Sequence, residues 1–195
     1  MKKIILTLAG VISLFAAKAQ NWTLDAAHSN VAFTVDYMVV SELEGSFKKY
    51  SGDFVSVKPD FSDLKINFIV DVNSVSTDNE MRDNHLKGDD FFNAEKYPQM
   101  KFKSITLKKV SDKKYVMEGD LTIRDITKRV KFDVTYGGLV NDPWGNTKAG
   151  FKATTTINRK DFGLKYSAAV ESGGLVAGDD IAININTVLI KQKSN

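Results

Sequence analysis

From Trp22 onward, hydrophobic and polar residues alternate with a period of two, in runs separated by turn residues. In the first run Val31, Phe33, Val35, Tyr37 and Val39 share one face, and Ala32, Thr34, Asp36 and Met38 the other. Successive side chains of a strand point to opposite sides of its sheet, so each such run predicts a strand with one buried face. The pattern recurs at residues 64–72, 100–107, 115–123, 130–136, 151–157 and 181–185. With residues 45–57 this makes about eight strands.

The run 45–57 breaks its own parity, because Phe47 and Tyr50 cannot share a face without an irregularity, and Gly52 is the expected bulge. Turn residues punctuate the rest, among them Lys58-Pro59-Asp60, Ser111-Asp112-Lys113, Asn141-Asp142-Pro143 and Gly173-Gly174. The fold class is therefore all-β. Periodicity leaves an antiparallel barrel and a sandwich both open, but runs near ten residues at about 3.3 Å each suit an elongated eight-stranded barrel. A barrel of that size either fills with side chains or encloses one small ligand. Small residues such as Gly119, Ala153 and Thr155 among the inward Phe, Val and Ile positions favour the ligand.

One connection stands apart. Residues 72–98 have helical character, and their centre, Met81-Arg82-Asp83-Asn84-His85-Leu86-Lys87 followed by Asp89-Asp90-Phe91-Phe92, crowds charge, imidazole and apolar groups together. This short helical insertion between strands is the best functional clue in the chain.

The first nineteen residues read differently from the rest. Met1-Lys2-Lys3 is a short basic start, residues 4–16 are apolar, and Ala17-Lys18-Ala19 has the form of a cleavage site, so residues 1–19 are expected to be a signal peptide. The expected localisation is periplasmic or secreted after cleavage near Ala19, with residues 20–195 as a single domain and no stable membrane anchor. The apolar run is short of the roughly 20 residues that span a bilayer. Residues 1–19 carry three lysines and no acid, so the 27 basic residues of the chain fall to 24 against 24 acidic. A formally neutral domain offers no overall basic field to nucleic acid or an anionic membrane, and none is expected as a partner. Near-neutrality favours self-association, a homodimer in the simplest case, and the oligomeric state stays open. With 0 cysteines the chain has no disulfide, thiolate metal site or cysteine nucleophile.

The chain also resembles a known family. The resemblance runs through Asp25-Ala26-Ala27-His28-Ser29 with Val31 and Phe33, Gly45-Ser46-Phe47, Ser76-Thr77, Arg82-Asp83-Asn84-His85-Leu86 and Asp90-Phe91-Phe92. It continues through Tyr97-Pro98 with Phe102, Gly119-Asp120-Leu121-Thr122-Ile123, Ile157-Asn158-Arg159 and Asp161-Phe162-Gly163. Together these resemble the YceI family. The resemblance implies a lipocalin-like barrel whose interior binds a long apolar chain, a polyisoprenoid or fatty-acid-like lipid, with no catalytic residues, no metal and no cofactor. Two positions depart from it: Tyr37 stands where related sequences often have a second histidine, and Asp125 where they usually have glycine.

The ligand is then expected against Phe33, Val35, Phe47, Phe68, Val70, Phe102, Leu121, Ile123, Phe132, Val134, Phe151 and Ile157, with Met81, Leu86, Phe91 and Phe92 lining or closing an end. Burying a tail gains about 0.8 kcal/mol per CH₂, so the tube itself needs no polar contact, and specificity must sit at an end. Arg82, His85 and Asp90 are the candidate head-group contacts. The plainer reading of the same cluster is a capping and hydrogen-bond network that closes the barrel. A partner-binding or stress-associated module with the barrel as scaffold is the first alternative function. A hydrolase or isomerase using Asp83 and His85 is the second, weakened by there being only 2 histidines, on separate elements.

Overall fold

A computed structural model describes residues 20–169 and 174–193; the expected signal peptide lies outside the described residues. The strands are β1 (Gln20–Leu24), β2 (Asn30–Tyr37), β3 (Ser41–Phe47), β4 (Tyr50–Ser56), β5 (Lys65–Asp71), β6 (Val75–Ser76), β7 (Gln99–Ser111), β8 (Lys114–Ile123), β9 (Ile126–Asn141), β10 (Thr147–Asn158) and β11 (Ala177–Lys191). Among the described residues one α-helix, α1 (Glu80–Lys87), lies between β6 and β7. All strand pairs are antiparallel, in the order β1-β4-β5-β7-β8-β9-β10-β11-β2-β3-β6, and a β1–β11 pairing closes the ring.

Six of these strands are halves of three broken staves. The long β11 pairs along one part with β2, from Ala177↔Tyr37 to Asn186↔Asn30, and along the other with β1, from Leu189↔Leu24 to Lys191↔Trp22. β1 and β2 are thus one stave interrupted by a 3₁₀ turn at Ala26–His28. β3 and β4 likewise pair with β2 and β1, and β6 continues β5 against β3. Counted as staves, the molecule is a closed eight-stranded up-and-down barrel, whose only strand with a single partner, among those described, is the two-residue β6, bonded to β3 alone.

The parity break falls at Lys48-Lys49, between β3 and β4, where the amides of Lys48 and Lys49 donate to the carbonyl and hydroxyl of Ser74 at 3.0 and 2.9 Å. Gly52 pairs regularly with Phe68 and is not a bulge. Its hydrogen serves a different purpose, since a side chain there would press on the Phe68 ring and the Asn67 carbonyl.

The two ends of the barrel differ. At one end lie the β2–β3 turn, α1 and its connection to β7, the β8–β9 turn and the segment between β10 and β11; this is the helix end. At the other lie three hairpin turns, of which the β4–β5 loop folds inward. Its Phe61, 2% exposed, fills that mouth against Trp22, Tyr136 and Phe151, with ring centroids 5.0, 5.4 and 5.1 Å away. Asp63 holds the loop in place by accepting from Ser56 Oγ at 2.6 Å and from the amides of Val57 and Lys58 at 2.9 and 3.1 Å. Burial works against its charge, but these donors outweigh burial and hold the carboxyl below its ordinary value. Tyr115 donates to the Asp60 carbonyl at 2.6 Å and ties the same loop to β8.

Candidate functional site

A cavity of about 320 Å³ runs inside the barrel. Its wall is the inward parity of the strands. β2 supplies Phe33 and Val35, β3 Phe47, β5 Phe68 and Val70, β7 Phe102, β8 Leu121 and Ile123, β9 Phe132 and Val134, and β10 Phe151 and Ile157. Leu86 of α1, and Phe91 and Phe92 after it, close over the helix end. Phe47 and Phe92 meet edge to face at 5.8 Å, and Phe102 meets Phe132 at 5.3 Å. Room is kept for the rings by two inward glycines. A side chain at Gly45 would collide with the Phe33 ring, and one at Gly119 with the Phe102 ring and the Lys103 carbonyl.

Met81 does not belong to this wall. Its side chain is 84% exposed on the outer side of α1. Helical residues five apart are separated by about 140° around the axis, so Met81 and Leu86 cannot face the same way, whereas Arg82 and Leu86, four apart, do. The wall also has members beyond the expected ligand contacts. Ile181, Ile183 and Ile185 of β11, which alternation marks as one apolar face, turn inward between β2 and β10. Leu164 and Tyr166 enter from the segment after β10, which has no periodicity to betray them.

The polar groups gather at the helix end. Asn79 caps α1, its side chain accepting from the Arg82 amide at 3.0 Å. Arg82 donates from Nε to Thr77 Oγ1 and from Nη2 to the Thr77 carbonyl, both at 2.7 Å. Thr77 in turn donates its hydroxyl and amide to Asp83 Oδ1, at 2.6 and 2.8 Å. This knot orients α1 and is structural. Yet Arg82 lines the cavity, and among the described residues its Nη1 has no hydrogen-bond partner and its charge no carboxylate within salt-bridge reach.

His85 is held by rings, edge-on to Phe91 and Tyr166 at 5.1 Å each, while those two stack on one another at 4.9 Å. Its Nε2 lies 3.5 Å from Asp90 Oδ2. Asp90 itself does not line the cavity: its carboxylate is 68% exposed, and its backbone carbonyl accepts from the Tyr166 amide at 3.2 Å. The buried Arg159, also on the wall, is fully occupied with the chain. It donates to the carbonyls of Gly178, Leu164 and Ala177 and to Asp179, at 2.8, 3.0, 3.2 and 3.0 Å, and so fixes the bulge at the start of β11.

The two departures from the family pattern have definite places. Tyr37 lines the cavity mouth at the end of β2 and is 38% exposed. Asp125 accepts from the Tyr97 hydroxyl at 3.0 Å, and this bond lowers its pKa. The left-handed position of that turn is Arg124, at φ 57°, and not Asp125. Arg124 reaches the carbonyls of Asp89, Phe91 and Gly163 at 3.2, 3.1 and 2.9 Å, clamping the helical connection to the segment after β10.

Fold and site together define an up-and-down barrel built around an apolar tube with a polar rim at one end. The chain belongs to the YceI family: the YceI-like domain matches residues 22–189. It is 38% identical over 162 residues to a UPF0312 protein of Staphylococcus aureus strain MSSA476, covering 83% of this chain and 92% of that one. The crystal structure of a Campylobacter jejuni YceI protein, 35% identical, superposes over 88% of this chain and 98% of that chain with a TM-score of 0.69. A polyisoprenoid-binding domain from Saccharophagus degradans shares the fold at 14% identity, over 88% of this chain and 98% of that chain, with a TM-score of 0.65.

Proposed function

We propose that this protein is an exported carrier that sequesters one long-chain apolar amphiphile, a polyisoprenoid or fatty-acid-like lipid, inside the barrel. The observation that carries the reading is the tube. A well-packed core has few voids larger than a water molecule, whereas this interior keeps about 320 Å³ open, within the roughly 300–1,000 Å³ of ligand sites. Its wall is almost wholly hydrocarbon, which suits a tail and gives no handle to a polar metabolite. The polyisoprenoid-binding domain of the same fold supports the class of cargo.

The head group belongs at the helix end, where Arg82 Nη1 offers an unused donor and an uncompensated positive charge, with His85 beside it. Asp90 acts behind His85 as its outer partner. Binding is favoured over an Asp83–His85 hydrolase or isomerase, since Asp83 is engaged by Thr77 while His85 packs against the stacked Phe91 and Tyr166 rings. The basic start, apolar run and Ala17-Lys18-Ala19 of residues 1–19 have the pattern of a signal peptide, which supports delivery to the periplasm or beyond.

Mass spectrometry of the protein purified from its own host, first native and then after organic extraction, tests this reading. A stoichiometric lipid adduct that disappears on extraction is expected. A clean apo mass, with no uptake of polyprenyl or fatty-acid lipid, would refute it and favour the partner-binding module.

A further inference from the structure

The formally neutral total hides a separation of charge along the barrel axis. At the end closed by Phe61, Lys58, Lys108, Lys109, Lys113, Lys191 and Lys193 are exposed, against Asp60 and Asp112. The helix end carries the opposite excess: Asp36, Glu42, Asp78, Glu80, Asp89, Asp90, Glu95, Asp125, Asp161 and Asp180 are exposed there against Lys96, Lys128, Lys160 and Lys165. Exposed apolar side chains lie on all three hairpins: Val57 beside Lys58, Val110 beside Lys109, and Leu139 and Val140 with Trp144 on the third, where Lys148 is tied to Asp25 and Asp142.

Trp144 is the most telling of these, at 81% exposure on the tip of the β9–β10 hairpin. The tip is rigid. Asp142 Oδ1 accepts from the amides of Trp144 and Asn146 at 3.0 and 2.8 Å, and its Oδ2 from Asn146 Nδ2 at 3.0 Å. The indole is thus held outward on an ordered turn. Trp and Lys share the property of an apolar body with a polar tip, which suits both to the boundary between head groups and acyl chains.

We propose that the Phe61 end of the barrel is a docking face for an anionic bilayer, with Trp144 and its apolar neighbours entering the interface and the lysine crown facing the lipid phosphates. Charge selects this end over the other. The β2–β3 turn also exposes Met38, Val39 and Val40, but Asp36 and Glu42 flank it and oppose a negative surface. Docking of this kind is peripheral and reversible: each lysine near the surface adds a modest attraction that salt screens, and the inserted side chains add the rest. It is independent of what the tube holds.

The test is co-sedimentation with phosphatidylcholine vesicles, with and without phosphatidylglycerol, followed by tryptophan fluorescence. Trp22 is buried, so the emission change reports Trp144. Binding is expected only to the phosphatidylglycerol vesicles, with a blue shift, and with release in high salt. The triple variant Lys108→Gln, Lys109→Gln, Lys113→Gln should weaken binding by about 100-fold, and Trp144→Ser by about tenfold. All four positions are exposed, so circular dichroism and lipid content should match the parent protein. Val39→Ser with Val40→Ser should leave binding unchanged. No binding to anionic vesicles, equal binding to neutral ones, or loss at Val39 and Val40 in place of Trp144 would each overturn the proposal. The cargo reading is judged separately by mass spectrometry.

Discussion

Gly45 and Gly119 provide a sharp test of how the tube is kept open, because the same methyl group meets different neighbours at each. Both are buried, and neither has a left-handed φ, so alanine carries no backbone penalty at either. Replacing glycine by alanine at a compatible position gains roughly 0.4–1 kcal/mol by restricting the unfolded chain. At Gly119 the new Cβ would overlap the Phe102 ring and lie 2.6 Å from the Lys103 carbonyl oxygen. Backbone cannot swing aside, and overpacking of this kind costs typically 1–3 kcal/mol. The net expectation for Gly119→Ala is a loss of about 1–2 kcal/mol.

At Gly45 the three nearest atoms all belong to the Phe33 ring, the nearest beyond the overlapping Cζ being Cε1 at 2.7 Å. That ring faces the cavity and has open space to enter. Gly45→Ala should therefore fold with stability within about 0.5 kcal/mol of the parent while pushing the ring into the lumen and reducing lipid content. Urea denaturation supplies the stabilities and mass spectrometry the lipid stoichiometry. Equal destabilisation of both variants, or full lipid content in Gly45→Ala, would refute the idea that these glycines seat rings against an open tube.

Three further outcomes follow from the same geometry. Phe132→Asp or Val70→Asp, both buried on the wall, should abolish folding or lipid retention, whereas Lys131→Ala, exposed on the opposite parity, should do neither; retention assays and circular dichroism check this. Asp63 has a lowered folded pKa, so its contribution to stability is complete above the ordinary value of 3.8 and is lost as pH falls through the depressed one. Asp63→Asn should consequently lower stability at neutral pH by about 1 kcal/mol and flatten the acid limb of the stability profile, measured by urea melts across pH. Arg159→Met should destabilise by about 3 kcal/mol or more in urea melts, because it leaves the carbonyls of Gly178, Leu164 and Ala177 without this donor and Asp179 with Lys160 alone.

Alternation made the barrel legible. The eight runs correspond to the eight staves, and even the irregularity between Phe47 and Tyr50 was visible as a clash of parity, although its location at Lys48-Lys49 was not. Period two reports which residues share a face but cannot report where a stave bends, because that depends on Ser74 arriving from another strand. β1 escaped notice for a related reason: five residues before a 3₁₀ turn are too few to declare a period. At the helix end legibility fell off. Arg82 and His85 are recognisable as crowded chemistry, but the hydrophobicity of Met81 points inward while helical geometry turns it away from Leu86 and out to solvent. Leu164 and Tyr166 were not legible at all, since a segment without periodicity takes its place from tertiary packing.

The closing pair of the barrel has a consequence for how the chain folds. Neighbouring staves are mostly joined by short turns and can zip together in sequence, but the β1–β11 seam unites residues as distant as Trp22 and Lys191. Loop closure over that span is the slow step of such a topology, so the ring cannot be completed until nearly the last residue is available. Until then the nascent molecule is an open, curved sheet with one oily face and two unpaired borders, the state most prone to stick to its own kind. Removing the end of β11 should therefore shift the chain from folding toward aggregation even though it deletes little of the tube's lining.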